Sequence, residues 1–299
     1  MAHRMRFGAA AVLIGVAALL AVACGAGSDS KNDRATIASQ IATSPLFGLD
    51  LTDATDAATR SGAAVGGADC RPEAWRRFRE DRLSRDVEIN LADDSAAVIV
   101  TDDVTGTLLL DTTRDGIPDF IQKPYEHLIL HRATFTNGPS GWRLTQIGPA
   151  DLELPVPFDQ TVSIQKVRVI GTDGSVWEAT SPEQLFDLPA GIPQLAPGTT
   201  VRFEAQVANS HATGCSADSF VYLHLRTDAG DPIRLRMVDD GSPASGDLHL
   251  GDGIFSRSVT IGSSVGYRRA IVDVIDADTL ADPAAKYDVT AWGIAYRIQ

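Results

Sequence analysis

Residues 126–136 read EHLILHRATFT, and three related stretches precede them: VEINL at 87–91, AAVIVT at 96–101 and GTLLLD at 106–111. In the first of these, Val87, Ile89 and Leu91 alternate with Glu88 and Asn90, the two-residue period of a half-buried strand. The others are short apolar runs bounded by Gly, Asn and Asp, which read as buried strands. WRLTQI at 142–147 follows a turn at Asn137-Gly138-Pro139 and adds one more. Upstream, residues 33–48 place Ile37, Ile41 and Leu46 on a short helical face that ends near Pro45. Residues 49–69 are rich in Ala, Gly, Thr and Asp and read as loop. Residues 71–83, RPEAWRRFREDRL, predict a second helix, with Pro72 in its first turn and Trp75, Phe78 and Leu83 as apolar anchors. Its arginines are expected to be solvated or paired with Glu73, Glu80 and Asp81. Helices followed by antiparallel strands predict an α+β layer over residues 35–154, helices on one curved sheet.

Leu152–Phe158, with two prolines, reads as a linker. Eight strands are then expected, at 162–170, 175–180, 200–208, 220–227, 233–239, 254–261, 269–276 and 287–298, interrupted by a proline-rich insertion over 182–197. So many short strands with turns between them fit an immunoglobulin-type β-sandwich over residues 155–299.

Two resemblances add to this. The close of the first unit, a basic-aromatic strand, a tight turn and GWRLTQIGPAD at 141–151, resembles NTF2-like (cystatin-like) cone domains of bacterial envelope proteins. That resemblance spans residues 35–154 and implies a fold, not an activity. In the second unit, Asp239-Asp240-Gly241, Gly246-Asp247 and Gly251-Asp252-Gly253-Ile254-Phe255-Ser256 resemble a hairpin of Ig-like modules in bacterial surface proteins, including the choice-of-anchor X group. It implies a sandwich that displays or spaces something else. The same loop has two physical readings. Its carboxylates can accept hydrogen bonds from their own backbone, with Gly at positive φ. Alternatively Asp240, Asp247 and Asp252 converge on calcium. Asp111 to Asp119 also has Asp111, Thr113 and Asp115 at calcium-loop spacing, but Thr113 is a weak second ligand and Gln122 stands where such loops close with Glu.

The N-terminus is an address. Arg4 and Arg6 precede an apolar run from Phe7 to Ala23, then Cys24. A basic start, an apolar middle and small residues describe a secretory signal peptide over residues 1–23. The run is short for a membrane span. Ala21-Val22-Ala23-Cys24 resembles a bacterial lipobox, with Ala21 where leucine is preferred. The resemblance implies diacylglycerol on Cys24, fatty acyl (palmitate-type) chains and a tether over residues 24–34. The chain is expected to be an exported lipoprotein, held to the outer membrane or cell surface by its N-terminal lipid. Cleavage removes Arg4 and Arg6 and no acidic residue, taking the formal charge from −13 to −15. Such a surface repels phosphate backbones and argues against nucleic-acid binding. Cys70 and Cys215 remain; in an oxidising compartment they form one possible disulfide, the alternative being two free thiols.

Tyr125, His127 and His131 share one strand face, and Tyr125 with His127 is the candidate pocket pair. The two histidines are about 13 Å apart along an extended strand, too far to share one metal ion. His211, His224 and His249 are scattered and read as structural or exposed. No nucleophile motif, phosphate loop or zinc motif occurs. The expected function is a non-catalytic binding or assembly module, with an envelope protein as partner and no cofactor beyond the calcium reading. The alternative is a small-molecule carrier or enzyme using the Tyr125–His127 pocket. A carrier requires a concave cavity of about 300 Å³ or more.

Overall fold

The computed structural model describes residues 29–48, 51, 74–111, 119–155, 160–210 and 219–299. Helix α1 spans Asp29–Thr43 and leads into a single 3-10 turn, Pro45–Phe47. Ser44 caps that turn by accepting from the Leu46 N–H, with Pro45 at the first position, where a missing N–H costs nothing. Ile37 and Ile41 lie one turn apart, on the face that buries with Leu46 and Phe47.

Five strands follow: β1 (Ala74–Ala92), β2 (Ser95–Asp111), β3 (Phe120–Gly138), β4 (Gly141–Ile147) and β5 (Ala150–Glu153). The charged helix expected at 71–83 does not form; from Ala74 its residues are the first part of β1. Helix preference is a weak prior, and here β1 pairs with β2 along its length, from Ala74↔Asp111 to Ala92↔Ser95. As a strand it also puts Trp75 and Arg77 on one face, and both are buried. The α+β expectation is therefore overturned. Among the described residues the α-helices are α1 and the five-residue α2 (Ala277–Ala281), and no layer of helices covers the sheet. The cone-domain fold implied by the first resemblance falls with it.

The remaining strands are β6 (Val162–Ile170), β7 (Val176–Ala179), β8 (Phe186–Asp187), β9 (Gln194–Leu195), β10 (Thr200–Asn209), β11 (Ser219–Arg226), β12 (Pro232–Met237), β13 (Ile254–Thr260), β14 (Gly266–Asp276) and β15 (Val289–Ile298). All eight expected strands form close to their expected bounds. The proline-rich insertion carries β8, which pairs with β4, and β9, which pairs in parallel with β15.

Two sheets result. The larger has the order β1-β2-β3-β5-β15-β14-β11-β12, and the smaller β13-β10-β6-β7. Strand β5 pairs with β3 at Leu128↔Glu153 through Leu130↔Asp151 and with β15 at Ala291↔Leu152 through Gly293↔Ala150. The segment expected to begin a linker is thus a seam inside a continuous sheet, and Leu152 is fully buried. The smaller sheet faces β11, β14 and β15, with Val167, Phe203, Val221, Val272, Trp292 and Ile294 between them, which makes this half of the molecule a β-sandwich.

The large sheet also curls. Trp75 on its first strand meets Tyr222 on β11, near the far end of the order, with ring centroids 5.2 Å apart. The indole N–H donates to the Tyr222 hydroxyl at 3.3 Å, and Arg234 on β12 donates to the Trp75 carbonyl at 3.0 Å. Register shifts at Phe78/Asp81 and Arg82/Ser84 in β1 supply bulges, which bend and twist a strand. Strand β14 consequently has a core on each face. Ala270, Val272 and Val274 enter the sandwich core, while Ile271 and Ile275 enter the curl.

The seam carries an ionisable group. Burial, then the Glu153 carboxylate, pushes the Asp151 carboxyl up to about 7. The folded state keeps a proton there that the unfolded chain releases near pH 4, so this group's contribution to stability falls as pH rises from about 4 to 7. Asp151→Asn is expected to flatten that part of the stability profile and to stabilise the fold at pH 8 by about 2 kcal/mol. Thermal unfolding of both proteins between pH 4 and 8 measures this; equal profiles would contradict it.

Candidate binding site inside the curled sheet

Alternation along β14 places Tyr267, Arg269, Ile271, Asp273 and Ile275 on the face turned into the curl. A carboxylate flanked by Val272 and Val274 in such a strand must find a charged partner. Asp273 finds Arg77 of β1: Nη1 and Nη2 donate to its two oxygens at 2.5 and 2.9 Å, and neither side chain contacts solvent. Burial alone would raise this carboxyl, but Arg77 and His224 outweigh it and hold Asp273 ionised well below the usual carboxylate range. His224 of β11 places Nε2 3.0 Å from the same carboxylate. Arg77 Nε donates to the Tyr287 hydroxyl at 3.0 Å, whose own ionisation burial pushes upward, so it stays a neutral phenol.

Aromatic rings continue the network. Tyr287 stacks on Tyr125 with centroids 4.6 Å apart, and Tyr125 stacks on His127 at 5.5 Å. Gly106 lies opposite Tyr125 in the β2–β3 ladder, and a Cβ there would fall 2.4 Å from the phenol. Glycine at that position is what lets the ring lie flat. His127 Nε2 is 3.3 Å from Glu80 Oε1. Burial alone would raise the Glu80 carboxyl, but His127 and Arg77 lower it below the ordinary value.

At the ends of β11, β12 and β14 this interior opens into a cavity of about 440 Å³, bounded on another side by Pro45 and Gly48. His224 and Ile271 line it, with Arg226, Arg268 and Arg269. Its carboxylate, Asp228 in the β11–β12 turn, is committed to the β13–β14 turn, accepting from the Ser263 and Ser264 N–H groups at 2.8 and 2.9 Å. Arg226 donates to the Gly230 carbonyl at 2.8 Å. Arg269 donates to His131 Nδ1 at 3.2 Å. Burial, reinforced by Arg269 and Arg85, pushes His131 well below its ordinary value, so the ring is neutral and accepts. Among the described residues, Arg269 Nε and Nη2 are buried with no hydrogen-bond partner, and burial lowers this guanidinium to about 9. A second cavity of about 310 Å³ lies beside the first, lined by Leu46, Phe47, Phe135, Leu144 and Leu188, and Tyr267 lines both.

The expected site residues fare unequally. Tyr125 and His127 do share a face, but both are buried in the stack and neither lines the cavity. The acidic loop brings together Asp239, Asp247 and Asp252, with carboxylate oxygens within 4.8 Å of one another. Asp240 is not in that group: it accepts from the Ser242 N–H and the Ser245 hydroxyl, both at 2.9 Å. The three grouped residues also accept from backbone: Asp239 from Gly251 and Gly253, Asp247 from Gly241 and Asp252 from Ile254. Cys24, Cys70, Cys215 and the stretch 112–118 lie outside the described residues. Arg77, His224, Arg269, Asp273 and Tyr287 were not anticipated. The lone Asp273 in an apolar strand was the available signal; its partners are 196 and 49 residues away.

Compared with models of protein families and with curated proteins, the chain matches none.

Asp273→Asn leaves the Arg77 guanidinium buried without its counter-charge and is expected to cost about 3–5 kcal/mol. Urea denaturation measures this. A loss below about 1 kcal/mol, within the range of a surface pair, would mean that the pair does not hold the curl.

Proposed function

We propose that this chain is an exported, non-catalytic binding protein, tethered to a bacterial envelope membrane by lipid on Cys24, that holds a small molecule at the mouth of its curled sheet. The observation that carries this reading is the cavity of about 440 Å³, large enough for a small ligand and lined by cationic and apolar groups on rigid strands. Binding is favoured over catalysis because the ionisable groups beneath the cavity are committed to one another. His224 faces Asp273, which both Nη atoms of Arg77 already occupy. The hydroxyls among the lining residues are Thr227 and Tyr267, and neither shares a hydrogen bond with His224 among the described contacts. In this reading the C-terminal sandwich is an immunoglobulin-like module that braces β11 and β14, and the membrane is reached through the N-terminal lipid. The −15 charge of the cleaved chain favours the tether over the surface as the means of membrane attachment.

Two measurements test this. Native mass spectrometry of the protein gently extracted from its host is expected to show a bound small molecule in fixed proportion. Gly48→Trp should release it, since a side chain at Gly48 enters open space beside the cavity. No bound species in the parent protein, or a species retained by Gly48→Trp, would count against the cavity. Cys24→Ser is expected to move the protein from the membrane fraction to the soluble one; a protein still sedimenting with membranes would remove the lipid anchor from the proposal.

A further inference from the structure

Alternation along β11 turns Phe220, Tyr222 and His224 toward the curl, and His224, the last of them in the β11–β14 ladder, lines the cavity. Its ring is held from behind. Asp273 is ionised, and a carboxylate in that form only accepts, so the Nε2 that meets it at 3.0 Å carries the hydrogen. In the neutral imidazole the lone pair is then on Nδ1. Nδ1 has no hydrogen-bond partner among the described residues, yet it is not sealed from solvent as both ring nitrogens of His127 and Nε2 of His131 are. The side chain keeps 7 % of its surface open, and the cavity is the space it lines. Neighbouring acceptors of the lining are filled: Asp228 accepts from the Ser263 N–H and hydroxyl and from the Ser264 N–H, and Thr227 Oγ1 accepts from the Asp231 N–H. The arginines are engaged too, Arg226 with the Gly230 carbonyl, Arg268 with the Tyr267 and Ser264 carbonyls and Arg269 with His131.

We infer that the cavity binds an uncharged molecule bearing a hydroxyl group, an alcohol or phenol, whose O–H donates to His224 Nδ1. This inference rests on the cavity being the binding site and names the chemistry it accepts. A carboxylate or phosphate would set its oxygen lone pairs against that of Nδ1. An ammonium would enter a cavity lined by Arg226, Arg268 and Arg269, where like charge opposes it. A neutral donor meets neither objection, and Pro45, Pro232, Tyr267 and Ile271 offer apolar surface to its carbon body.

The experiment titrates the full chain, carrying isotope-labelled histidine, with benzyl alcohol and with toluene at pH 8, above the ordinary imidazole value of about 6.5. Nitrogen NMR follows the imidazoles. Benzyl alcohol is expected to move the His224 Nδ1 resonance, which is assigned by its loss in His224→Gln. Toluene, of similar shape without the hydroxyl, is expected to leave it in place. His224→Phe keeps a ring but no acceptor and should lower the preference for benzyl alcohol over toluene about fivefold, the worth of one net hydrogen bond. If His224→Phe fails to fold, the resonance in the parent protein alone decides. An unmoved Nδ1 under bound benzyl alcohol, an unchanged preference in His224→Phe, no binding of benzyl alcohol, or tighter binding of benzoate or benzylammonium overturns the inference. A molecule without a hydroxyl, or a charged one, released by Gly48→Trp in the mass spectrometry would overturn the neutral donor while leaving the cavity as the binding site; failure of release would overturn the cavity itself.

Discussion

A guanidinium and a carboxylate, both sealed from solvent, join the first strand of the large sheet to one of its last. Taking Arg77 and Asp273 out of water is expensive, and such a pair repays the cost only when its geometry is good and its remaining donors and acceptors are filled. Here the contact is bidentate, the Tyr287 hydroxyl takes the remaining Arg77 Nε–H, and His224 adds a contact to Asp273. These residues come from β1, β11, β14 and the segment before β15, so one charge pair fixes how four separate parts of the chain approach. The curl follows from it: Trp75 can reach Tyr222 and Arg234 only if β1 has swung round to face β11 and β12. The stack of Tyr287, Tyr125 and His127 fills the space behind the pair.

The sandwich keeps that curl rigid. Strand β14 sends Val272 and Val274 to one core and Ile271 and Ile275 to the other, so it cannot shift register without disrupting both. Strand β15 is shared in the same way, with Trp292 and Ile294 on one side and Ala291 on the other. The cavity lies where β11 and β14 run past their last paired residues. Its lining therefore combines side chains seated on a doubly buried strand with those of a turn, a firm base with an open rim.

The acidic loop between β12 and β13 shows the opposite economy of charge. Asp239 accepts from Gly251 and Gly253, Asp240 from Ser242, and Asp252 from Ile254, so the loop's carboxylates organise their own backbone. Gly241, Gly246, Gly251 and Gly253 all take positive φ, which the tight turns between those carboxylates require. The motif that looked most like a site in the sequence is thus held together by local bonds. The cationic cavity, whose residues form no motif, is assembled by the fold.

Local pattern by itself determined much of the architecture. Alternation located the eight strands of the second half, and the Ile37 and Ile41 spacing located α1, because those signals depend only on which residues face a core. Residues 74–83 went the other way. Their charge and helical spacing of Trp75 and Phe78 pointed to a helix, yet the edge of β2 and the buried Asp273, both distant in sequence, made them strand. The pairing of Tyr125 with His127 on one face was readable from a two-residue period; that Tyr287 would stack on them and close them off was not. The cavity belongs wholly to tertiary structure. Arg269 is an ordinary arginine in the sequence; the fold carries it to the cavity lining and sets it against His131, 138 residues away.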